Sequence, residues 1–157
     1  MKSIHIHFVC TGNVYRSRLA EAYLRSKQLP NIGVSSSGIK ATDNSFGPIT
    51  WFAARIARRH NLIPHLKLMW TQTTPKILND STVVIFMTGV HHQFAKAHFH
   101  YNKTTYEIWN IADLDKAKFF HAENDSDLMR IEHTEKVFAE IKKKVDGLAR
   151  RLTHAGS

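Results

Sequence analysis

An uninterrupted apolar segment in the middle of the chain constrains the fold more than any other feature. Residues 82–87 read Thr-Val-Val-Ile-Phe-Met, a run rich in β-branched side chains that shows no alternation with polar residues. Such a run is typical of a strand that is buried on both faces, as strands are in a parallel sheet covered by helices. The chain is therefore expected to place helices on both sides of a sheet.

The rest of the chain alternates between strand and helix patterns. Further strands are predicted over residues 4–9, 32–36 and 106–109, and helices over residues 16–27, 48–60, 91–99 and 128–152. This order predicts an α/β fold in a single domain, residues 1–157, with a three-layer, doubly wound sheet of about four parallel strands and helices on both faces. Ligands of such sheets bind beyond the carboxyl ends of the strands, which points to the loop after the first strand.

Charge and hydropathy limit the partners. The 22 Lys and Arg residues against 13 Asp and Glu give a formal net charge of +9, which attracts anionic partners such as phosphorylated substrates. No apolar stretch reaches the ~18 residues of a membrane-spanning helix, and the histidine-interrupted run at residues 4–9 is too short for a signal peptide. We expect a cytoplasmic protein, a monomer or weak dimer, with no membrane partner and no specific nucleic-acid partner.

The loop after the first strand combines the features that phosphate binding requires. It leads directly into a predicted helix and reads Cys10-Thr11-Gly12-Asn13-Val14-Tyr15-Arg16-Ser17. Amide groups at a helix N-terminus bind anions, and Gly12 and Asn13 permit the torsions that turn further amides inward. Arg16 can contact two phosphate oxygens with its planar guanidinium. Residues 11–17 are therefore predicted to bind phosphate.

Cys10 is the only cysteine, so the chain cannot form an intramolecular disulfide. A lone cysteine is most often a small buried apolar residue. Here the helix N-terminus and Arg16 would both favour a thiolate, and we interpret Cys10 as a nucleophile. Ser17 could bond the sulfur or cap the helix, and the sequence leaves both roles open.

This loop resembles that of the low-molecular-weight protein tyrosine phosphatases. The family loop reads Cys-x-Gly-Asn-x-Cys-Arg-Ser-Pro, and the matching residues here are Cys10, Gly12, Asn13, Arg16 and Ser17. Residues 19–21, 34–38 and 82–87 resemble further family segments at matching spacing. The resemblance implies a phosphatase I-like fold and hydrolysis of phosphotyrosine, in proteins or small aryl phosphates, through a phosphocysteine. It implies no cofactor and no metal.

The resemblance also assigns a proton donor and two supporting residues. Cleavage of a phosphate ester by a thiolate needs a proton for the leaving oxygen. Alignment on the family's Ile-Pro-Asp-Pro places this general acid on Asp113, with Asp115 as the alternative. Ser36 and His65 fall on residues that hydrogen-bond the loop asparagine in the family. The implied catalytic residues are Cys10, Arg16 and Asp113.

Three residues depart from the family pattern. Tyr15 replaces a second cysteine, so an oxidised Cys10 has no internal partner. Arg18 replaces a proline and is expected either to point to solvent or to add a positive charge at the pocket edge. Leu114 replaces the proline after the acid. Because this change alters the acid loop, a protein that binds phosphate or phosphoproteins without turnover is an alternative function.

The substrate and the chemistry leave further alternatives open. Phe46, Trp51 or Tyr15 could form an aromatic pocket wall. Because buried aromatic residues more often belong to a core, Phe46 and Trp51 are interpreted as core residues. Val14 resembles the tyrosine-directed family members, since phosphoarginine-directed members tend to carry threonine at this position. A thioredoxin-coupled arsenate reductase is disfavoured because its relay cysteines are missing.

Four histidines close together could suggest a metal site. They are His91, His92, His98 and His100. No cysteine or carboxylate cluster accompanies them, and their helix is expected at the surface. A specific metal site is therefore not predicted.

Overall fold

The computed structural model describes residues 2–114 and 126–155. Within these residues four strands form one parallel sheet in the order β2-β1-β3-β4, and they are β1 (Ile4–Cys10), β2 (Ile32–Gly38), β3 (Val83–Phe86) and β4 (Tyr106–Ile108). The chain starts at β1, adds β2 on one side and then crosses to β3 on the other. The resulting switch point lies at the carboxyl ends of β1 and β3, where ligands of such sheets bind.

Helices cover both faces of this sheet. They are α1 (Arg16–Ser26), α2 (Trp51–Arg59), α3 (Pro75–Asp80), α4 (Gly89–Phe99) and α5 (Asp127–Ala155), with short 3₁₀ turns at Ala41–Asp43 and Ile63–His65. One apolar core joins α1, α2 and α5 to the sheet, and a second joins α3 and α4 to its other face. The predicted three-layer α/β fold is confirmed.

The side-chain pattern of the strands explains the two cores. Along β1, Ile6 and Phe8 face the α1, α2 and α5 layer, whereas Val9 faces the other layer. In β3, Ile85 and Phe86 divide between the two cores in the same way, as the unbroken apolar run predicts. In the described part of the chain, no helix is both long enough and apolar enough to cross a membrane.

Capping residues explain two differences between the observed and the predicted helices. Helix α2 begins at Trp51 rather than at residue 48, because Thr50 is its N-cap and accepts a hydrogen bond from the Ala53 amide at 3.3 Å. Helix α3 was not predicted, although Thr74 caps it and Pro75 occupies its first position. Its six residues are too few for a clear apolar period.

Candidate active site

Residues outside the Cys10 loop (residues 10–17) bind the carbonyl groups of Thr11 and Val14 and so hold them on the outer side of the loop. The Thr11 carbonyl accepts from the Lys40 amide at 2.9 Å. The Val14 carbonyl accepts from both the Thr50 amide, at 3.0 Å, and the Thr50 hydroxyl, at 3.1 Å. Because C=O and N–H of a trans peptide point in opposite directions, the amides that follow these carbonyls face the centre of the loop. The loop is thereby a ring of inward donors suited to an anion.

Gly38, the last residue of β2, lets the sheet approach this loop closely. A Cβ atom at Gly38 would lie 2.6 Å from the Thr11 carbonyl oxygen and 2.7 Å from the Asn13 amide nitrogen. Both neighbours are backbone atoms and cannot swing aside as a flexible side chain would. A glycine is therefore required here, a role that the sequence pattern did not reveal.

Asn13 fixes the shape of the loop from within. It adopts the left-handed region, with φ of 56°, and its side chain is fully buried. Its amide group donates to Ser17 Oγ and Ser36 Oγ, each at 2.8 Å, and its Oδ1 atom accepts from the Thr71 amide at 2.8 Å. The expected partner Ser36 is in place. His65 is not: the segment after the second 3₁₀ turn brings a backbone amide, rather than that imidazole, to Asn13.

Cys10 ends β1, and two donors converge on its buried sulfur. The Asn13 amide donates to Sγ at 3.3 Å, and Ser17 Oγ lies 2.8 Å from Sγ. Since Ser17 Oγ already accepts from Asn13, its own proton is available to the sulfur. The alternative capping role for Ser17 is wrong, because Tyr15 is the N-cap of α1 and no side chain caps this helix. The donors suit a thiolate nucleophile.

The Arg16 guanidinium is buried and anchored along one edge. Its Nη1 atom donates to the Ile111 carbonyl at 2.9 Å. Its Nη2 atom donates to Asp113 Oδ2 at 3.1 Å and more weakly to Thr11 Oγ1 at 3.4 Å. Its buried Nε has no hydrogen-bond partner among residues 2–114 and 126–155. The Nε proton can therefore bond one phosphate oxygen, and the Nη2 proton that makes the long contact with Thr11 can bond a second, so that the Nε–Nη2 edge binds a phosphate.

Asp113 lies in the loop after β4, beside Arg16. The Ile111 amide donates to the Met87 carbonyl at 2.7 Å, which anchors this loop at the end of β3. The Asp113 side chain is 31% exposed, and its Oδ1 atom accepts from the Leu114 amide at 2.8 Å. The structure thus brings Asp113 to the mouth of the Cys10 loop. Asp115, the alternative acid, lies outside the described residues.

His91 supports the loop from α4 and is buried, contrary to the expected surface position. The Thr88 amide donates to His91 Nδ1 at 3.1 Å, so Nε2 carries the proton and donates to Thr11 Oγ1 at 2.9 Å. Burial, with a smaller contribution from Arg16, lowers the pKa of His91 to about 3 and keeps it neutral.

The next histidine on α4, His92, stacks on Tyr106 with 4.1 Å between the ring centroids. In the described ranges no three His, Cys, Asp or Glu side chains gather as metal ligands would.

A cleft of about 640 Å³ opens in front of Cys10. Phe46 and Trp51 line it with 68% and 59% of their surfaces exposed, so the interpretation of these two rings as core residues is wrong. They stand on the segment that enters α2, beyond the edge of the core. Further lining residues, which sequence reasoning missed, are Phe52, Lys40, Asp43, Asn44, Ser45 and Arg130. They come from separate loops and helices and form no motif along the chain.

Tyr15 also borders the cleft, but its hydroxyl points into the protein. Thr134 Oγ1, on α5, donates to the Arg130 carbonyl at 2.8 Å, so it must accept the Tyr15 hydroxyl proton at 2.7 Å. Burial is the main reason that the pKa of Tyr15 is raised. Tyr15, at the position where many family members carry a cysteine, therefore links the Cys10 loop to α5.

The family is shown by comparison with known proteins. The model for "Low molecular weight phosphotyrosine protein phosphatase" matches residues 5–157, and the chain belongs to this family. Two curated relatives, both named protein-arginine-phosphatase, match shorter segments. The Bacillus subtilis protein is 32% identical over 98 residues, 60% of this chain and 62% of its own length. The Geobacillus stearothermophilus protein is 52% identical over 40 residues, 26% of this chain and 27% of its own length. Each match thus spans less than two thirds of the relative.

Solved structures show the same fold over nearly the whole chain. The arginine phosphatase YwlE from Geobacillus stearothermophilus superposes with a TM-score of 0.73 at 26% identity, covering 97% of this chain and 94% of that one. Vibrio vulnificus Wzb in complex with benzylphosphonate superposes with a TM-score of 0.72 at 19% identity, covering 94% and 98%.

Proposed function

We propose that this protein is a phosphatase that hydrolyses phosphotyrosine, in proteins or in small aryl phosphates, through a phosphocysteine intermediate. One observation carries the proposal: a buried cysteine sulfur, a ring of inward amides and the Nε–Nη2 edge of Arg16 converge at the start of α1. Asp113 stands beside Arg16 at the mouth of this arrangement. Nucleophile, phosphate-binding donors and proton donor are thus present together.

In the first step the Cys10 thiolate attacks phosphorus in line with the ester oxygen. The S–P bond forms as the P–O bond breaks, and the leaving oxygen takes the proton of the Asp113 carboxylic acid. The inward amides and the Arg16 guanidinium hold the three equatorial oxygens, whose negative charge they stabilise in the transition state.

In the second step water hydrolyses the phosphocysteine. The Asp113 carboxylate accepts a proton from the attacking water, and the water oxygen bonds to phosphorus. The S–P bond breaks, which releases inorganic phosphate and returns Cys10 to its thiolate and Asp113 to its acid form. The Ser17 hydroxyl and the Asn13 amide, both directed at Sγ, favour this leaving group.

The cleft supports an aromatic substrate. The side chain of Val14 is apolar and offers no acceptor to a guanidinium, whereas Phe46 and Trp51 present exposed rings beside the loop. Lys40 and Arg130 add two cations to the lining, and cations there repel the guanidinium part of a phosphoarginine side chain. These features favour phosphotyrosine.

Phosphoarginine is the second candidate substrate, because both curated relatives are named protein-arginine-phosphatase. The carboxylates of Asp43 and Asp113 line the same cleft and could pair with a guanidinium. The two candidate substrates would therefore be recognised by different residues of the cleft. The aromatic rings would bind the phenyl group of phosphotyrosine, and the two carboxylates would bind the guanidinium of phosphoarginine.

Three peptides of one sequence, carrying phosphotyrosine, phosphoserine or phosphoarginine, test the proposal through their kcat/KM values. We expect phosphotyrosine to be preferred by roughly tenfold or more, and Cys10→Ser to abolish turnover. A preference for phosphoarginine would replace the first candidate with the second. Phosphate binding without turnover of any peptide would instead indicate a non-catalytic binder.

A further inference from the structure

Arg18 is a fully buried arginine on the first turn of α1, although the sequence suggested a solvent-facing side chain. Its Nη1 atom donates to the carbonyl of Asn13 at 3.2 Å and to that of Pro48 at 2.8 Å. Its Nη2 atom donates to the carbonyl of Lys67. One guanidinium thereby joins the Cys10 loop to the segment before α2 and to the segment after the second 3₁₀ turn. A planar fork with several donors can do this, and a lysine ammonium cannot match it.

The contact with Asn13 determines the direction of one amide in the loop. Because the Asn13 carbonyl turns outward to Arg18, the Val14 N–H at the other end of that peptide turns inward. Backbone amides hold the outward carbonyls of Thr11 and Val14, but a side chain supplies this donor to Asn13.

We propose that Arg18 is a positioning residue that orients the Val14 amide toward the substrate phosphate and fixes the Cys10 loop against the cleft wall before α2. This role rests on the proposed phosphatase function. The family's proline at this position has no side-chain donor, so the chain has replaced a local backbone constraint with a set of hydrogen bonds.

The charged groups around Arg18 favour a guanidinium that keeps its positive charge although it is buried. Burial lowers the pKa of Arg18, and the nearby Glu21 and Cys10 oppose this shift when they are negative. Glu21 lies one turn further along α1 and is also buried, and Lys67 adds a second cation near it. The positive charge behind the loop therefore interacts favourably with a thiolate at Cys10.

Arg18→Met and Arg18→Lys test this role, with Arg25→Met as a control at an exposed position of the same helix. The readouts are the dissociation constant for inorganic phosphate and the kcat and KM for para-nitrophenyl phosphate. We expect Arg18→Met to weaken phosphate binding and lower kcat by roughly tenfold to a hundredfold. Arg18→Lys should recover part of this loss, and the control should match the wild type.

A folded Arg18→Met variant with wild-type phosphate affinity and wild-type kcat would overturn the proposal. If that variant does not fold, the wild-type protein still provides a test through amide NMR during a phosphate titration. The Val14 amide resonance should shift on phosphate addition, and an unmoved resonance would also refute the role. A wild-type protein that binds phosphate but turns over no substrate would instead overturn the proposed function, leaving Arg18 testable by binding alone.

Discussion

Replacement of Gly38 by alanine should displace the Cys10 loop although no residue of that loop is itself replaced. The added Cβ would lie 2.6, 2.7 and 2.8 Å from three backbone atoms of residues 11–13, whereas ordinary van der Waals contact begins at 3.4 Å. The loop would have to move by on the order of 1 Å, a displacement that can cost about 100-fold in rate. Overpacking of this kind typically costs about 1–3 kcal/mol of stability.

A melting curve and a steady-state assay measure both effects. For a chain of this size we expect Tm to fall by about 2–12 °C and kcat for para-nitrophenyl phosphate to fall by about 100-fold. Gly89→Ala is the matched control, because a Cβ at Gly89 meets no atom within 4 Å. Wild-type Tm and kcat in Gly38→Ala would show that the loop does not depend on this close approach.

Three further predictions follow from the same geometry. Asp113→Asn should lower kcat for a phenyl phosphate by about 100-fold or more, and a kcat equal to that of the wild type would remove Asp113 from the role of acid. Val14→Thr should shift the ratio of phosphotyrosine to phosphoarginine kcat/KM toward phosphoarginine, whereas an unchanged ratio would exclude Val14 as a selector. His7 and His91 are buried, which lowers the pKa of each from 6.5 to about 3, so the unfolded chain binds more protons between these values. Stability should therefore be full above about pH 6.5 and fall on acidification, by at most about 1.4 kcal/mol per pH unit for each histidine. Urea unfolding between about pH 7 and pH 5 checks this, and a His91→Gln variant with an undiminished slope would contradict it.

Periodicity predicted the fold well because each buried strand and amphipathic helix carries its own pattern. The run at residues 82–87 indicated a strand buried on both faces, and β3 has that environment. The apolar side chains of α5 also recur at helical spacing within one segment, and Val137, Phe138 and Ile141 among them are buried. Helix α3 was missed because only its cap and its proline signal it.

The sequence predicted the site residues that lie together in one segment of the chain. It did not predict correctly those residues whose position or partner is determined by contacts between distant segments. Cys10 and Arg16 belong to one loop, so their spacing could be read directly. The partner of Asn13 Oδ1 is the backbone amide of Thr71, and a pattern of side chains cannot predict a backbone partner. Arg18 is polar and was expected at the surface, but its buried Nη atoms donate to a carbonyl of the Cys10 loop and to carbonyls of two distant segments. Phe46 was expected in the core because sequence alone does not locate the core boundary.

Cys10 is proposed to carry the phosphoryl group during turnover. Acid quenching of the protein within its first turnover of a phosphotyrosine peptide, followed by peptide mass spectrometry, tests this directly. We expect one added phosphoryl group on the peptide that contains Cys10. Its yield should be greater in Asp113→Asn when the substrate is an activated aryl phosphate. Turnover that continues in Cys10→Ser, or a phosphoryl group found on another residue, would contradict it.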